Sequence, residues 1–168
     1  TKIDYIVSRR KKCDNDFIDV INLNDPQFIK YKYKELIHFC LSNDNKYIAF
    51  LIDLRGDENY TFFLKNIETN KIIEKNTSIN IRNIQFNNNN DLIYIRKNKF
   101  INSQIYKHKI SDSFRNDILI YNENSSNVFI SLSKSNDDKY FFIYRSTHKE
   151  NQVLVFKQDK NDVFSLTD

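Results

Sequence analysis

The sequence predicts an all-β chain of about three four-stranded antiparallel blades, an incomplete β-propeller. Three observations carry this. Apolar residues alternate with period two almost everywhere, the apolar set is rich in Ile, Val, Phe and Tyr, and one turn-strand pattern recurs three times. Ala, the best helix former, occurs once, at Ala49.

The elements follow in order. Tyr5–Arg10 reads as a strand of an earlier blade. The stretch around Phe28 to Leu36 is a weak helical candidate, left open by Pro26 and its Lys/Tyr alternation. Strands are predicted at 46–53, 60–67, 91–96, 103–110, 118–121, 127–132, 140–144 and 152–156, with a short run at 71–74. Asn, Asp and Ser clusters separate them. Turns beginning at Ser42, Asn87 and Ser135 each lead into a long strand, and each is followed by a second strand. A period in the middle forties with about four strands per unit is the pattern of a propeller blade. The expected division is 1–40 for the end of a preceding blade and a lead-in, then blades at 41–80, 81–126 and 127–168, the last cut short. Three units do not close a ring, so the chain is expected to be a segment of a longer polypeptide.

Composition narrows the chemistry. The chain has 168 residues, room for one domain, with one Gly, one Pro, no Met and no Trp. With Gly56 alone it can build neither a G-x-S-x-G elbow, nor a Walker loop, nor a dinucleotide fingerprint. Turns must rest on Asn, Asp and Ser, because Asn tolerates the left-handed backbone that Gly would supply. Net charge is +4, from 26 basic and 22 acidic residues spread along the chain. Only Arg9-Arg10-Lys11-Lys12 forms a basic run, and it reads as a solvated strand end or turn. No nucleic-acid stripe is present, and the aromatics alternate as core residues do. No apolar run is long enough for a transmembrane helix, so no membrane role is expected. Cys13 and Cys40 read as free thiols of a cytoplasmic protein.

His38, His108 and His148 match no zinc spacing, and His108, beside Tyr106 in an alternating strand, reads as a structural or surface residue. No metal or cofactor is expected. Asn59, Asn76 and Asn124 head Asn-x-Ser/Thr triplets of the kind this composition produces by chance. Arg55-Gly56-Asp57-Glu58 sits between two strands, where Gly56 would supply a positive φ. Its acidic pair suits either turn caps or contact with a partner.

Asp53-Leu-Arg-Gly-Asp-Glu-Asn-Tyr-Thr-Phe-Phe-Leu-Lys-Asn-Ile-Glu-Thr69 resembles the D-x-x-G-D-E-x-Y-x-L-x-x-K-D-L-x-T stretch of the prolyl oligopeptidase family, nearest its oligopeptidase B branch. Ser8–Lys11 resembles that branch's C-R-R-K, and Val20–Asn24 its L-L-D-L-N. Leu41–Phe50 is similar to V-S-P-D-x-x-x-L-A-Y, with Asn43 in place of Pro. Ile105–His108 resembles V-W-R-H, and Asp117–Glu123 resembles D-V-L-V-Y-E-E. The family's R-P falls on Ile101 and Asn102, which leaves the contact of that Arg in doubt.

The resemblance implies a seven-bladed N-terminal propeller covering a C-terminal α/β-hydrolase domain of the same polypeptide, which carries the Ser-Asp-His triad. This chain would then be a non-catalytic piece that limits access to short peptide substrates. The parent serine peptidase would cleave after Arg or Lys. Arg55, Asp57, Glu58 and Tyr60 are the candidate inter-domain or substrate-access contacts. A WD40- or Kelch-like scaffold for other proteins is the alternative, although without Trp no W-D signature is possible. As a fragment, the chain could pair edge strands or swap them in a homodimer.

Overall fold

A computed structural model of the chain describes residues 6–10, 17–97, 103–159 and 164–166. Its strands form a leading hairpin and three four-stranded antiparallel sheets. The hairpin pairs β1 (Ile6–Arg10) with β2 (Phe17–Asn22). One turn of helix, α1 (Pro26–Ile29), follows, with Pro at its start and the Asp25 side chain capping Gln27 N–H. The first blade holds β3 (Glu35–Leu41), β4 (Tyr47–Asp53), β5 (Tyr60–Asn66) and β6 (Lys71–Asn76). The second holds β7 (Ile81–Phe86), β8 (Leu92–Lys97), β9 (Ser103–His108) and β10 (Ile118–Asn122). The third holds β11 (Phe129–Lys134), β12 (Tyr140–Ser146), β13 (Asn151–Gln158) and β14 (Phe164–Leu166). Within each sheet, strands adjacent in sequence are adjacent in space.

The expected fold class is therefore observed. The first sheet starts at Glu35, earlier than the apolar period suggests, because β3 belongs to it. The third sheet has all four strands. The helical candidate at 28–36 reduces to the end of α1, and from Glu35 onward the chain is strand. Lys11, Lys12, Cys13, Ile101 and Asn102 lie outside the described residues, as does Tyr5.

Burial explains the sequence pattern. Alternate residues of β4 face opposite neighbours. Ile48, Phe50 and Ile52 pack on Val20, Ile21, Leu23 and Phe28, while Ala49 and Leu51 pack on Ile81, Ile84 and Phe86 of β7. In the same way Tyr94 of β8 joins the core shared with the first blade, while Ile93 and Ile95 meet Leu132, Phe141 and Ile143 of the third. A strand buried on both faces needs a continuous apolar run, and Ile48–Ile52 is one. β12 alternates instead, with Phe141 and Ile143 buried and Tyr144 exposed, because only one of its faces is covered.

The first strands of the blades lie against one another. β3 meets β7, and β7 meets β11. His38 Nε2 of β3 lies 3.0 Å from the Ile84 carbonyl of β7. Lys134 Nζ, at the end of β11, donates to Asn43 Oδ1 of the first blade at 3.0 Å, passing over the second blade. Asn43 also donates to the next repeated turn, from its N–H to Asn90 Oδ1 at 3.0 Å. These strands thus form the inner edge of the fan, and the repeated turns sit together at one end of it.

The turn chemistry is as expected. Asn45, Asn90 and Asp138, at equivalent places in the three repeated turns, have φ of 58°, 62° and 58°. Asn70 does the same at 59° in the β5–β6 turn. Asn and Asp thereby supply the left-handed residues that other chains take from Gly.

Candidate functional site

The loop between β4 and β5, at the end opposite the repeated turns, carries the sequence-predicted residues. Asp53, 3% exposed, organises it. Its carboxylate accepts from the N–H groups of Arg55 (2.9 Å), Gly56 (2.7 Å) and Glu58 (3.0 Å). Those three donors wrap the backbone around one anion, which forces left-handed conformations at Gly56 (φ 73°) and at Glu58 (φ 56°). The Tyr33 ring covers Gly56.

The four predicted residues divide into two pairs. Arg55 and Asp57 face solvent and pair with each other at 3.1 Å. Hydrogen bonds from Asn59 hold the Asp57 carboxyl below its usual range. Glu58 and Tyr60 instead turn to the second blade. The Arg82 guanidinium lies 4.7 Å above the Tyr60 ring and 3.8 Å from Glu58 Oε2. Arg82 is the extra residue of a bulge between Ile81 and Asn83, which aims its side chain across the seam. Sequence reasoning misses Arg82, because the bulge shifts the apolar period there and hides β7. The loop holds no nucleophile–base pair. Its exposed charges suit recognition of another protein surface.

A second polar cluster lies at the same seam, partly buried around a fully buried histidine. His108, read from the sequence as structural or surface, is 0% exposed. Its Nδ1 lies 2.7 Å from Asp117 Oδ1 and its Nε2 lies 2.9 Å from Glu74 Oε2 of the first blade. Tyr94 donates to Asp117 Oδ2 at 2.6 Å, and Ser111 N–H donates to Glu74 Oε1. Phe114, from a short 3₁₀ turn at Phe114–Asn116, stacks on the imidazole at 3.9 Å and 9°. Burial by itself would lower the His108 pKa, but the hydrogen bonds and charges of Asp117 and Glu74 outweigh it and hold it at about 9. Beside this cluster is a groove of about 700 Å³, lined among others by Ile79, Arg96, Tyr106, Phe114 and Arg115. Only the alternation around Tyr106 hints at His108 in the sequence. Its partners, 34 residues before and 9 after, have no spacing signal.

Among the described residues, no group of His, Cys, Asp and Glu forms a metal site, and no helix is long and apolar enough to cross a membrane. Cys40 is a free thiol whose pKa burial pushes up.

Blades of this kind, packed through their first strands and lacking a catalytic constellation in the described loop, define a propeller module. Residues 29–167 match the family described as prolyl oligopeptidase, N-terminal beta-propeller domain, and the chain belongs to that family. It is 24% identical over 114 residues to the dipeptidyl aminopeptidase BI of Pseudoxanthomonas mexicana, covering 66% of this chain and 16% of that protein. Oligopeptidase B from Leishmania major superposes with a TM-score of 0.82 at 16% identity, covering 97% of this chain and 24% of its own. A prolyl endopeptidase structure gives 0.77 at 15% identity, covering 96% and 25%. The chain therefore spans a quarter or less of the length of these relatives.

Proposed function

We propose that this chain is part of the propeller of a serine oligopeptidase, limiting access so that short peptides reach the catalytic domain and folded proteins do not. The supporting observation is the family match over residues 29–167, in blades whose order and loops agree with the resemblance at Asp53–Thr69. The partner is a C-terminal α/β-hydrolase domain of the same polypeptide; Arg55 and Asp57 form the face that meets it or the incoming peptide, with Glu58 and Tyr60 engaging Arg82 beside them. The parent enzyme is oligopeptidase B-like and cleaves after Arg or Lys. The ordered motif likeness supports this choice. Exclusion by a propeller is steric, and it needs only seams that stay shut while substrate passes elsewhere.

The experiment is a comparison of substrates on the full polypeptide. A short dibasic peptide should be hydrolysed, a folded protein should be spared, and a serine-directed reagent should abolish turnover. The present chain alone should be inactive. Cleavage after Pro with no turnover of the dibasic peptide would reject the oligopeptidase B-like assignment. Equal cleavage of folded protein and peptide would reject the gating role.

A further inference from the structure

We propose that His108 is a doubly protonated imidazolium that clamps the first blade to the second, and that loss of its proton opens this seam. The hydrogen-bond geometry carries the argument. Both ring nitrogens lie within 2.9 Å of carboxylate oxygens, Asp117 Oδ1 on one side and Glu74 Oε2 on the other. An ionised carboxylate has only lone pairs to offer. Each nitrogen must therefore carry a hydrogen, which a neutral imidazole cannot arrange. A single-tautomer ring would leave one nitrogen lone pair against a carboxylate lone pair, in a place water does not reach.

The surroundings fix the charge further. Phe114 lies flat on the ring, presenting its negative face to the cation. Tyr94 from β8 supplies a hydroxyl to Asp117, so that carboxylate is satisfied on both oxygens. Ser111 N–H does the same for Glu74. The other charges that act on the cluster are Asp112 and Lys109 on the same loop and Arg96 at the far end of β8. With one cation between two anions, deprotonation leaves the two carboxylates sharing a single imidazole N–H, with no cation between them. Their repulsion acts across the seam, because Glu74 belongs to the first blade and Asp117 to the second.

The sign of the pH dependence follows. The proton is held more tightly in the folded state than in the unfolded chain. The clamp's contribution is complete below the ordinary histidine value of roughly 6.5 and declines as pH rises through the folded value of about 9.

The test uses the full polypeptide with ¹⁵N-labelled histidine, read by imidazole NMR and by hydrogen exchange. At pH 7.5 His108, identified by its loss in His108→Gln, should show two protonated ring nitrogens. Exchange in the peptides spanning 71–76 and 103–117, corrected for intrinsic rates, should quicken by about tenfold or more between pH 6.5 and pH 9.5. In Glu74→Gln, which keeps an acceptor but drops one charge, the ring should lose its proton at lower pH. A neutral single tautomer at pH 7.5 would overturn the proposal, as would seam exchange that ignores pH. If His108→Gln does not fold, the wild-type exchange profile and the Glu74→Gln titration still decide the matter.

Discussion

Gly56 shows how one residue sets a loop. Its φ of 73° is required because Asp53 gathers three consecutive-turn N–H groups, while the Tyr33 ring leaves ordinary contact distance for a Cβ at 3.6 Å. The penalty of Gly56→Ala is therefore backbone strain and not a clash, about 1 kcal/mol. Gly56→Asn should cost roughly half as much, since Asn enters the left-handed region more readily. Denaturant unfolding of the full polypeptide carrying each variant checks both. Arg145 and Glu123 make the stronger case. Glu123, 2% exposed, takes Arg145 Nε at 2.6 Å and the Tyr121 hydroxyl at 2.9 Å. Arg145 is the largest influence holding the carboxyl's pKa down; without it the buried carboxyl keeps the Ser125 N–H and the Tyr121 hydroxyl but loses its charged partner. Arg145→Met should destabilise by about 3 kcal/mol, and by much less when combined with Glu123→Gln. A double-mutant cycle showing simple additivity would contradict this.

At the scale of elements, the turns, the doubly buried strands and the inner strand β11 were legible, and the inner strands β3 and β7 were not. Lys46–Asp53 announces β4 because both of its faces are covered, and the Asn/Asp turns announce themselves because Gly is missing. β3 and β7 are harder to see. Each carries a bulge near its start, between Leu36 and His38 and between Ile81 and Asn83, and each bulge shifts the period by one residue. β7 also exposes Asn83 and Gln85 in part, so its apolar residues, Ile81, Ile84 and Phe86, do not alternate. The candidate site was legible for the same reason in reverse. Arg55–Tyr60 is local in sequence, whereas Arg82 and the Glu74–His108–Asp117 cluster exist only through packing between blades. The turn reading has a direct test at Asn70, where φ is 59°. Asn70→Gly should leave stability within about 0.5 kcal/mol, and Asn70→Val should lower it by about 1–2 kcal/mol. Equal effects in thermal unfolding would show that the side chain, not the backbone, matters there.

At the scale of the whole molecule, each seam among the described residues carries a charged link with at least one buried partner. Lys65 Nζ donates to the Val20 carbonyl at 2.9 Å between hairpin and first blade. Glu74 meets His108 at the next seam, and Glu123 meets Arg145 at the last. Such links favour one relative orientation of neighbouring sheets over many oily alternatives, as the proposed gating role would require. The third blade is different on its far side. Phe129, Tyr144 and Val153, at 66%, 42% and 50% exposed, share one face through the pairs Ser131–Tyr144 and Tyr144–Val153. An apolar patch of this kind seeks cover. Expressed by itself, the chain should self-associate in light scattering, and Phe129→Ser with Val153→Lys should shift it toward monomer. A wild-type chain that stays monomeric at high concentration would refute that expectation.

The bond from Lys134 to Asn43 also bears on how the chain is assembled during synthesis. Every sheet is a meander of neighbours, so each can form as soon as its own stretch has emerged, with short loop closures and little waiting. Lys134 and Asn43 stand 91 positions apart, with a finished sheet between them. Their meeting must await the third sheet, so it marks completion: in a pulse-labelling experiment the Asn43 N–H, which donates to Asn90 Oδ1, should be protected once the second sheet docks, ahead of the amides of the third sheet.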